Sequence, residues 1–247
     1  MVSDTPALSA GEARNPTWFP DANSGKALGE FLEVIKAKHQ VPDLQALHRW
    51  SVDHSNLFWS EVWNFFGVLG DQGNLAQVES KLPETNYFPE ARLSHLENLL
   101  AGGGSVSVIS ESDSRNLGVE LSHLDLIDKV SALAALFLDE GIGELDRVVA
   151  ILPVGIEVLV TTLASFEVGA TVATASPEFG AEAIIARFAQ LEPKVLVFSN
   201  SYSWQGREID RSEIVAHVAR ALPSLKLVIG TSGNKELPES VLWERAT

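Results

Sequence analysis

Six histidines, at positions 39, 48, 54, 95, 123 and 217, are the first residues to test for metal or acid–base chemistry. None falls in an H-x-H or H-E-x-x-H spacing, so no metal ligand set is expected. The chain has no cysteine, which removes disulfides, thiolate nucleophiles and Cys-ligated zinc. No G-x-S-x-G elbow is present to expose a serine nucleophile. The dinucleotide fingerprint G-x-G-x-x-G is missing too: after the candidate strand Arg147–Leu152 the turn is Pro153-Val154-Gly155, too poor in glycine for close pyrophosphate contact. Ala101-Gly102-Gly103-Gly104-Ser105 suggests a phosphate loop but lacks a following Lys-Ser/Thr and a preceding strand. It reads as a flexible connector into a strand at Val106–Ser110. Thr231-Ser232-Gly233-Asn234-Lys235 is too short, with a single glycine, to wrap a triphosphate in backbone amides, and reads as a turn. No catalytic residue is expected in the chain.

One basic feature stands out. Gly206-Arg207 follows a Ser/Asn/Tyr-rich loop just past the candidate strand Val195–Phe198. A guanidinium at the carboxyl end of a parallel strand is placed to grip a phosphate in two-pronged fashion, and ligands of open α/β sheets bind at those ends. An ordinary surface arginine is the competing reading.

The elements that position these residues follow from hydropathy. In 247 residues, 45% hydrophobic and 21% charged, there is length for one large or two modest globular domains with a real core. The formal charge of −15 offers no basic stripe for nucleic acid or an anionic membrane. No apolar run approaches the ~20 residues a spanning helix needs. The N-terminus lacks a secretory signal's charged and apolar regions, so a cytoplasmic protein is expected. Residues 1–27 read as a surface arm anchored at Trp18-Phe19-Pro20. Helices are expected at Leu28–Lys38 and Leu44–Trp50, the second capped by Asp43, and at Asn56–Phe66, where Trp59 and Trp63 share a face beside Phe58, Val62, Phe65 and Phe66. That aromatic run reads as a hydrophobic plug docking a helical front onto the main domain, rather than as a ligand-stacking platform. Gly67–Pro89 is loop-like, and Pro89–Leu100 returns to helical spacing.

From Val119 the pattern changes. A brief strand at Val119–Leu121 precedes a helix capped by Ser122, with Leu124, Ile127, Val130, Ala134, Phe137 and Leu138 on one stripe and Gly141 at its end. Then come the strand Arg147–Leu152, a buried helix Ile156–Val168 closed by Gly169, the strand Ala170–Ala175, a helix Ala181–Leu191, the strand Val195–Phe198, an amphipathic helix Arg211–Leu222 and a strand Leu225–Ile229. Strands alternating with helices make an α/β fold, a parallel sheet wrapped by helices, behind a helical N-terminal region.

These residues also resemble a known family. Trp50-Ser51-Val52, Phe58-Trp59 and Trp63, Phe88-Pro89 with Ala91-Arg92-Leu93, and Glu97-Asn98-Leu99-Leu100 are similar to the front of the acetoacetyl-CoA synthetases, within the adenylate-forming enzymes. Gly-x-x-x-x-Asp-Arg-Val at Gly141–Val148, Leu152-Pro153, Gly169-Ala170, Ser176-Pro177-Glu178-Phe179-Gly180, Arg187-Phe188, Pro193-Lys194-Val195-Leu196, Tyr202 and Gly206-Arg207 continue the match. The resemblance implies the N-terminal portion of an adenylate-forming fold: residues 1–105 as arm and helical region, 106–247 as the first, incomplete α/β subdomain of the AMP-binding domain. It implies an acid–thiol ligase in which acetoacetate attacks ATP and the CoA thiol then displaces AMP, with ATP, Mg2+ and CoA used by the full-length enzyme and a missing C-terminal half of the same polypeptide. The family's Thr-Thr-Gly loop, Tyr-Gly-x-Thr-Glu segment and mobile C-terminal domain are not in these 247 residues, so this piece is expected to bind CoA at most. By the same resemblance the candidate CoA contacts are Arg207, Gly206, Trp204, Ser176, Pro177 and Glu178. Trp204 stands where a relative carries a second arginine, and Val154 departs from the asparagine that commonly follows Leu-Pro. The alternatives are a stand-alone CoA- or protein-binding module built on this half-fold, and a decayed fragment prone to aggregate through exposed sheet edges.

Overall fold

The computed structural model describes residues 25–78, 83–102, 108–112, 115–231 and 240–247. The expected N-terminal arm, with Trp18-Phe19-Pro20, most of the Gly-rich connector and most of the turn after Thr231 lie outside these residues. Packing divides the chain into two units, 1–92 and 93–247.

In the first unit α1 (Lys26–His39), α2 (Leu44–Asp53) and α3 (Ser55–Phe66) precede a short antiparallel pair, β1 (Gln77–Val78) with β2 (Asn86–Tyr87). The Asp43 carboxylate accepts from the Ala46 amide at 2.7 Å, satisfying an orphan donor at the start of α2. Phe31, Leu32, Ile35, Val41 and Leu47 form the core, with Trp50, Phe58, Val62 and Phe65 packed on it. The aromatic run of α3 therefore divides by face. Phe58 and Phe65 meet Phe31 edge-on at 5.9 and 5.1 Å, while Trp59 meets Tyr87 edge-on and Trp63 lies tilted against Phe88. Phe58 and Phe65 thus pack on the unit's own core, with Trp59 and Trp63 on the rings of Tyr87 and Phe88.

Among them sits a buried carboxylate, Glu61, which accepts from Lys38 Nζ at 2.7 Å and pairs with His39 Nε2 at 2.9 Å. It ties the end of α1 to the middle of α3. Burial works against its charge, but the hydrogen bonds and positive charge of Lys38 and His39 prevail and hold the carboxyl below its ordinary range. On periodicity alone residues 89–100 form one helix. In the structure Asp71 and Arg92 exchange backbone hydrogen bonds, at 2.8 and 2.9 Å, and the helix begins only at His95, where the Ser94 hydroxyl accepts from the Glu97 amide.

The second unit opens with α4 (His95–Leu100), whose Leu96 enters the core of this unit. An antiparallel pair follows, β3 (Val108–Ser112) with β4 (Arg115–Leu121); β4 is longer than the brief strand expected at 119–121, and β3 runs on past the expected end at Ser110, while Val106 and Ser107 of that expected strand lie outside the described residues. Ser122 caps α5 (His123–Asp139), its hydroxyl accepting from the Asp125 amide. The buried stripe of α5 is Leu126, Val130, Leu133, Ala134 and Phe137. Leu124 and Leu138, expected inward, are exposed: the helix is rotated so that the i, i+4, i+7, i+8, i+11 series from Leu126 faces the sheet.

The α/β core then runs β5 (Arg147–Ile151), α6 (Ile156–Glu167), β6 (Thr171–Ala175), α7 (Ala181–Phe188), β7 (Val195–Phe198), β8 (Ser201–Trp204), β9 (Arg207–Asp210), α8 (Ser212–Ala221), β10 (Leu227–Gly230), β11 (Val241–Leu242) and α9 (Trp243–Ala246). The last turn of the expected 181–191 helix tightens to 3-10 geometry at Ala189–Leu191. Strands β5, β6, β7, β10 and β11 form one parallel sheet in the spatial order β6-β5-β7-β10-β11. The antiparallel hairpin β8–β9 and the final strand β11 are additions to the alternation legible in the sequence.

Residue alternation sets the two faces. Val148 and Ala150 of β5, Val195 and Val197 of β7, and Leu227 and Ile229 of β10 face α5 and α6; Val149, Ile151, Leu196 and Phe198 face α7 and α8. Central strands buried on both sides read as continuous apolar runs for this reason. Phe137 is fully buried at the centre of the first layer, and its truncation to alanine would cost about 3–5 kcal/mol. The Asp146-Arg147 pair of the family pattern is structural. Asp146 accepts from the Gly143 amide, and the Arg147 guanidinium donates to the carbonyls of Leu145, Leu191 and Glu192, tying β5 to the turn before β7.

Candidate functional site

Reading the parallel strands in chain order as 1 to 5, the sheet runs 2-1-3-4-5. Chain direction across the sheet reverses between β5 and β7, and the crevice at the carboxyl ends beside such a switch point is where open α/β sheets bind ligands. A cleft of about 280 Å³ lies at that edge. Its walls are the turn after β5 (Leu152, Pro153, Val154), the loop after β6 (Ser176, Pro177, Glu178), and Tyr202 and Ser203 of β8. At the low end of ligand-pocket sizes, it suits one part of a large ligand.

Three candidate residues, Ser176, Pro177 and Glu178, line this cleft together. The other three, Trp204, Gly206 and Arg207, do not; they occupy the tip of the β8–β9 hairpin. Arg207 is thus not at the mouth of β7 as the sequence suggested, but carried away from it on a ribbon. Gln205 (φ 49°) and Gly206 (φ 74°) make the two-residue connection, with both backbones in the left-handed region that such a tight hairpin turn demands. The ladder pairs Trp204 with Arg207, Ser203 with Glu208, Tyr202 with Ile209 and Ser201 with Asp210. Paired residues share a face and faces alternate, so Tyr202, Trp204, Arg207 and Ile209 project to one side. The carboxylates Glu208 and Asp210 lie on the other, where Glu208 accepts from the Ser201 hydroxyl at 2.7 Å. Among the described residues Arg207 makes no ion pair, and in a chain of net charge −15 it is a guanidinium kept apart from its nearest acids.

The loop that forms the opposite wall is pinned from behind. Arg211 donates to the Phe179 carbonyl, and its own amide donates to the Asn200 carbonyl at 2.7 Å, joining the loop after β6 to the end of β7. The Arg187 guanidinium sits 4.8 Å from the centre of the Phe179 ring. The Glu178 amide reaches the Ser176 hydroxyl at 3.4 Å, a contact at the long limit for a hydrogen bond. Arg187 and Phe179 were visible in the sequence only as parts of the family pattern, and Arg211 only as the start of a helix. The hairpin had a readable signal: Ser-Tyr-Ser-Trp alternates in polarity before Gln-Gly, a two-residue turn with glycine in second place.

Among the described residues no group of three or more His, Asp or Glu side chains could hold a metal ion, and no helix is long and apolar enough to cross a membrane.

Comparison with known proteins accounts for this arrangement. Residues 91–246 match the family model of the AMP-binding enzymes. The acetoacetyl-coenzyme A synthetase of Rhizobium meliloti (strain 1021) is 31% identical over 228 residues, 90% of this chain and 35% of that protein. The acetoacetyl-CoA synthetase of Danio rerio is 27% identical over 93% of the chain and 35% of its own length. Among solved structures, acetoacetyl-CoA synthetase from Streptomyces lividans superposes with a TM-score of 0.84 at 30% identity, covering 94% of this chain and 38% of that one. The chain therefore spans about a third of the length of the relatives it matches. With the doubly wound sheet, its ligand edge and a family match over residues 91–246 in agreement, the chain belongs to the AMP-binding enzyme family.

Proposed function

We propose that these residues are the front part of an ATP-dependent acetoacetate–CoA ligase and that their share of the work is to receive the nucleotide end of CoA. The observation that carries this reading is the cleft at the carboxyl edge of the sheet, with Tyr202 and Ser203 of the β8–β9 hairpin in its wall and Arg207, without an ion-pair partner among the described residues, at that hairpin's tip, in a chain similar over about 90% of its length to acetoacetyl-CoA synthetases. ATP and magnesium belong to the full-length reaction, in which an acyl-adenylate forms and the CoA thiol then displaces AMP. The described residues supply neither an acid–base pair in the cleft nor a lysine there to meet the developing phosphate charge, so adenylation is assigned to residues beyond this chain. Arg207 is the phosphate contact: a guanidinium meets phosphate through paired donors and holds its charge at any working pH. Ser176, Pro177 and Glu178 form the wall against which the rest of the nucleotide lies.

Two assays on this chain test the reading. Calorimetry with CoA should show saturable binding that Arg207→Ala weakens about ten-fold or more, the value of a charge-assisted hydrogen bond. ATP–pyrophosphate exchange with acetoacetate should show no turnover. Binding indifferent to Arg207, or robust exchange, contradicts the assignment.

A further inference from the structure

Two walls of the cleft belong to different elements, and one side chain crosses between those elements. Ser176, Pro177 and Glu178 follow β6, whereas Tyr202 and Ser203 belong to the β8–β9 hairpin. Arg211 is the first residue after β9. Its amide donates to the Asn200 carbonyl at 2.7 Å, one step beyond the Ser201–Asp210 pair, so its backbone closes the stem of the hairpin. Its guanidinium reaches across to the loop after β6, where Nη2 donates to the Phe179 carbonyl. That bond is the loop's outward anchor. Among the described residues, two hydrogen bonds of the Ser176–Phe179 stretch return to Ser176, from the Glu178 amide to its hydroxyl and from the Phe179 amide to its carbonyl. One leaves the loop, to Arg211. The Arg187 contact with the Phe179 ring ties the loop only to α7, the helix that follows it.

Local chemistry does not account for an arginine here. Arg211 Nε is buried without a hydrogen-bond partner among the described residues, and the guanidinium forms no ion pair there. A buried donor left unpaired is destabilising. Arg211 is also the cap residue of α8 and makes no side-chain cap bond, a position where Ser, Thr, Asp or Asn would stabilise the helix. The Ser212 amide is satisfied instead by the Asp210 carboxylate at 2.8 Å. What arginine supplies is reach, a planar group at the end of a long stem, able to span from the hairpin to the opposite loop.

We propose that Arg211 is a positioning residue for CoA binding: it sets the separation of the two walls before the ligand arrives. The proposal rests on the CoA reading above and adds to it a residue that prepares the cleft without touching the ligand. A loop without this anchor samples other positions, and only molecules with the walls correctly spaced accept the ligand. Apparent affinity then falls by the competent fraction. The loss appears in the association rate, because the contacts made once the ligand is bound are unchanged.

The test is NMR on the intact chain with CoA as the probe, comparing wild type with Arg211→Ala. Line shapes through the titration give both rate constants, and hydrogen exchange at the β5 and β7 amides checks that the sheet is intact. Arg211→Ala should lower the association rate and the affinity together by about ten-fold, the worth of a charge-assisted hydrogen bond. The dissociation rate should stay within about two-fold of wild type. Faster dissociation with unchanged association makes Arg211 a ligand contact and overturns the proposal. A second readout needs no variant and so survives a failure of Arg211→Ala to fold. In free wild type the Glu178 and Phe179 amides should show no microsecond-to-millisecond exchange in relaxation dispersion; exchange there that CoA quenches means the ligand orders the loop, and overturns the proposal. If Arg211→Ala binds CoA as wild type does, this inference falls and the CoA reading stands; if wild type binds no CoA, both fall.

Discussion

The carboxyl edge of the sheet is held in place by a contact between β7 and β10 that makes a sharp prediction. Phe198, the last residue of β7, pairs in register with Gly230, the last of β10. Phe198 is fully buried, and a Cβ built on Gly230 would stand 3.0 Å from the Cζ of its ring. The ring is fully buried and would have to give by a few tenths of an ångström, so Gly230→Ala overpacks the site. Overpacking costs about 1–3 kcal/mol, offset by about 0.5–1 kcal/mol because glycine loses more conformational freedom on folding than alanine. The expected net loss is about 1 kcal/mol. Phe198→Leu removes the atoms in question and by itself costs about 1–3 kcal/mol through lost burial and a residual cavity, less than full truncation to alanine. In that background Gly230→Ala meets no ring, and the sign reverses to a gain of about 0.5–1 kcal/mol. The two substitutions should therefore couple by about 1.5–2 kcal/mol, well beyond the error of additivity. Native-state hydrogen exchange at the β5 and β7 amides reads the stability of the second unit without interference from the first. Single and double variants that add within about 0.3 kcal/mol would refute the argument that the ring dictates glycine at this position.

Two further substitutions follow from the same kind of reasoning. Glu61→Gln removes the carboxylate that holds Lys38 and His39 and should cost the first unit about 1–3 kcal/mol at neutral pH, toward the lower end because the Lys38 side chain is half exposed. Because the folded carboxyl lies below its ordinary range, its contribution is fully present above the unfolded value of about 4.3 and is lost as pH falls through the folded value. Fluorescence of Trp50, Trp59 and Trp63 should therefore show wild type and Glu61→Gln converging in stability below about pH 4, and a constant gap down to pH 2 would count against the ion pair. Gly206→Val places a β-branched residue at φ 74° and should cost the hairpin about 1–2 kcal/mol or more. CoA affinity should then fall while hydrogen exchange in the parallel sheet stays as in wild type; unchanged affinity would separate the hairpin from binding.

How much of this was legible in the sequence depended on whether one period ruled the segment. The strands at β5 and β7 could be read because both faces are covered and every residue is apolar, and Asp43, Ser122 and Gly169 marked element ends through local chemistry that tertiary structure did not override. The face of α5 was harder: eleven apolar residues in seventeen leave several stripes open, and only the position of the sheet selects Leu126 and Leu133 over Leu124 and Leu138. Residues 89–94 carry helical spacing but are claimed by a backbone bridge to Asp71, a partner 21 residues away. For the candidate site, residue identity was recoverable and placement was not. Ser176, Pro177 and Glu178 do share a wall, yet Arg207 is carried to a ribbon tip, because Gln205-Gly206 closes a hairpin that the surrounding serines disguised as loop. Arg211 escaped notice as a cleft support since its partner, the Phe179 carbonyl, is distant in sequence, and Arg187 since its contact with the Phe179 ring depends on how α7 turns back on the loop before it.

The central claim is that the edge formed by the loop after β6 and the β8–β9 hairpin receives CoA. Amide chemical-shift mapping of this chain during a CoA titration addresses it most directly. The expected result is a saturable set of perturbations at Ser176–Glu178 and Tyr202–Arg207, abolished or strongly weakened in Arg207→Ala. Perturbations centred elsewhere in the chain, or a titration without saturation, would contradict it.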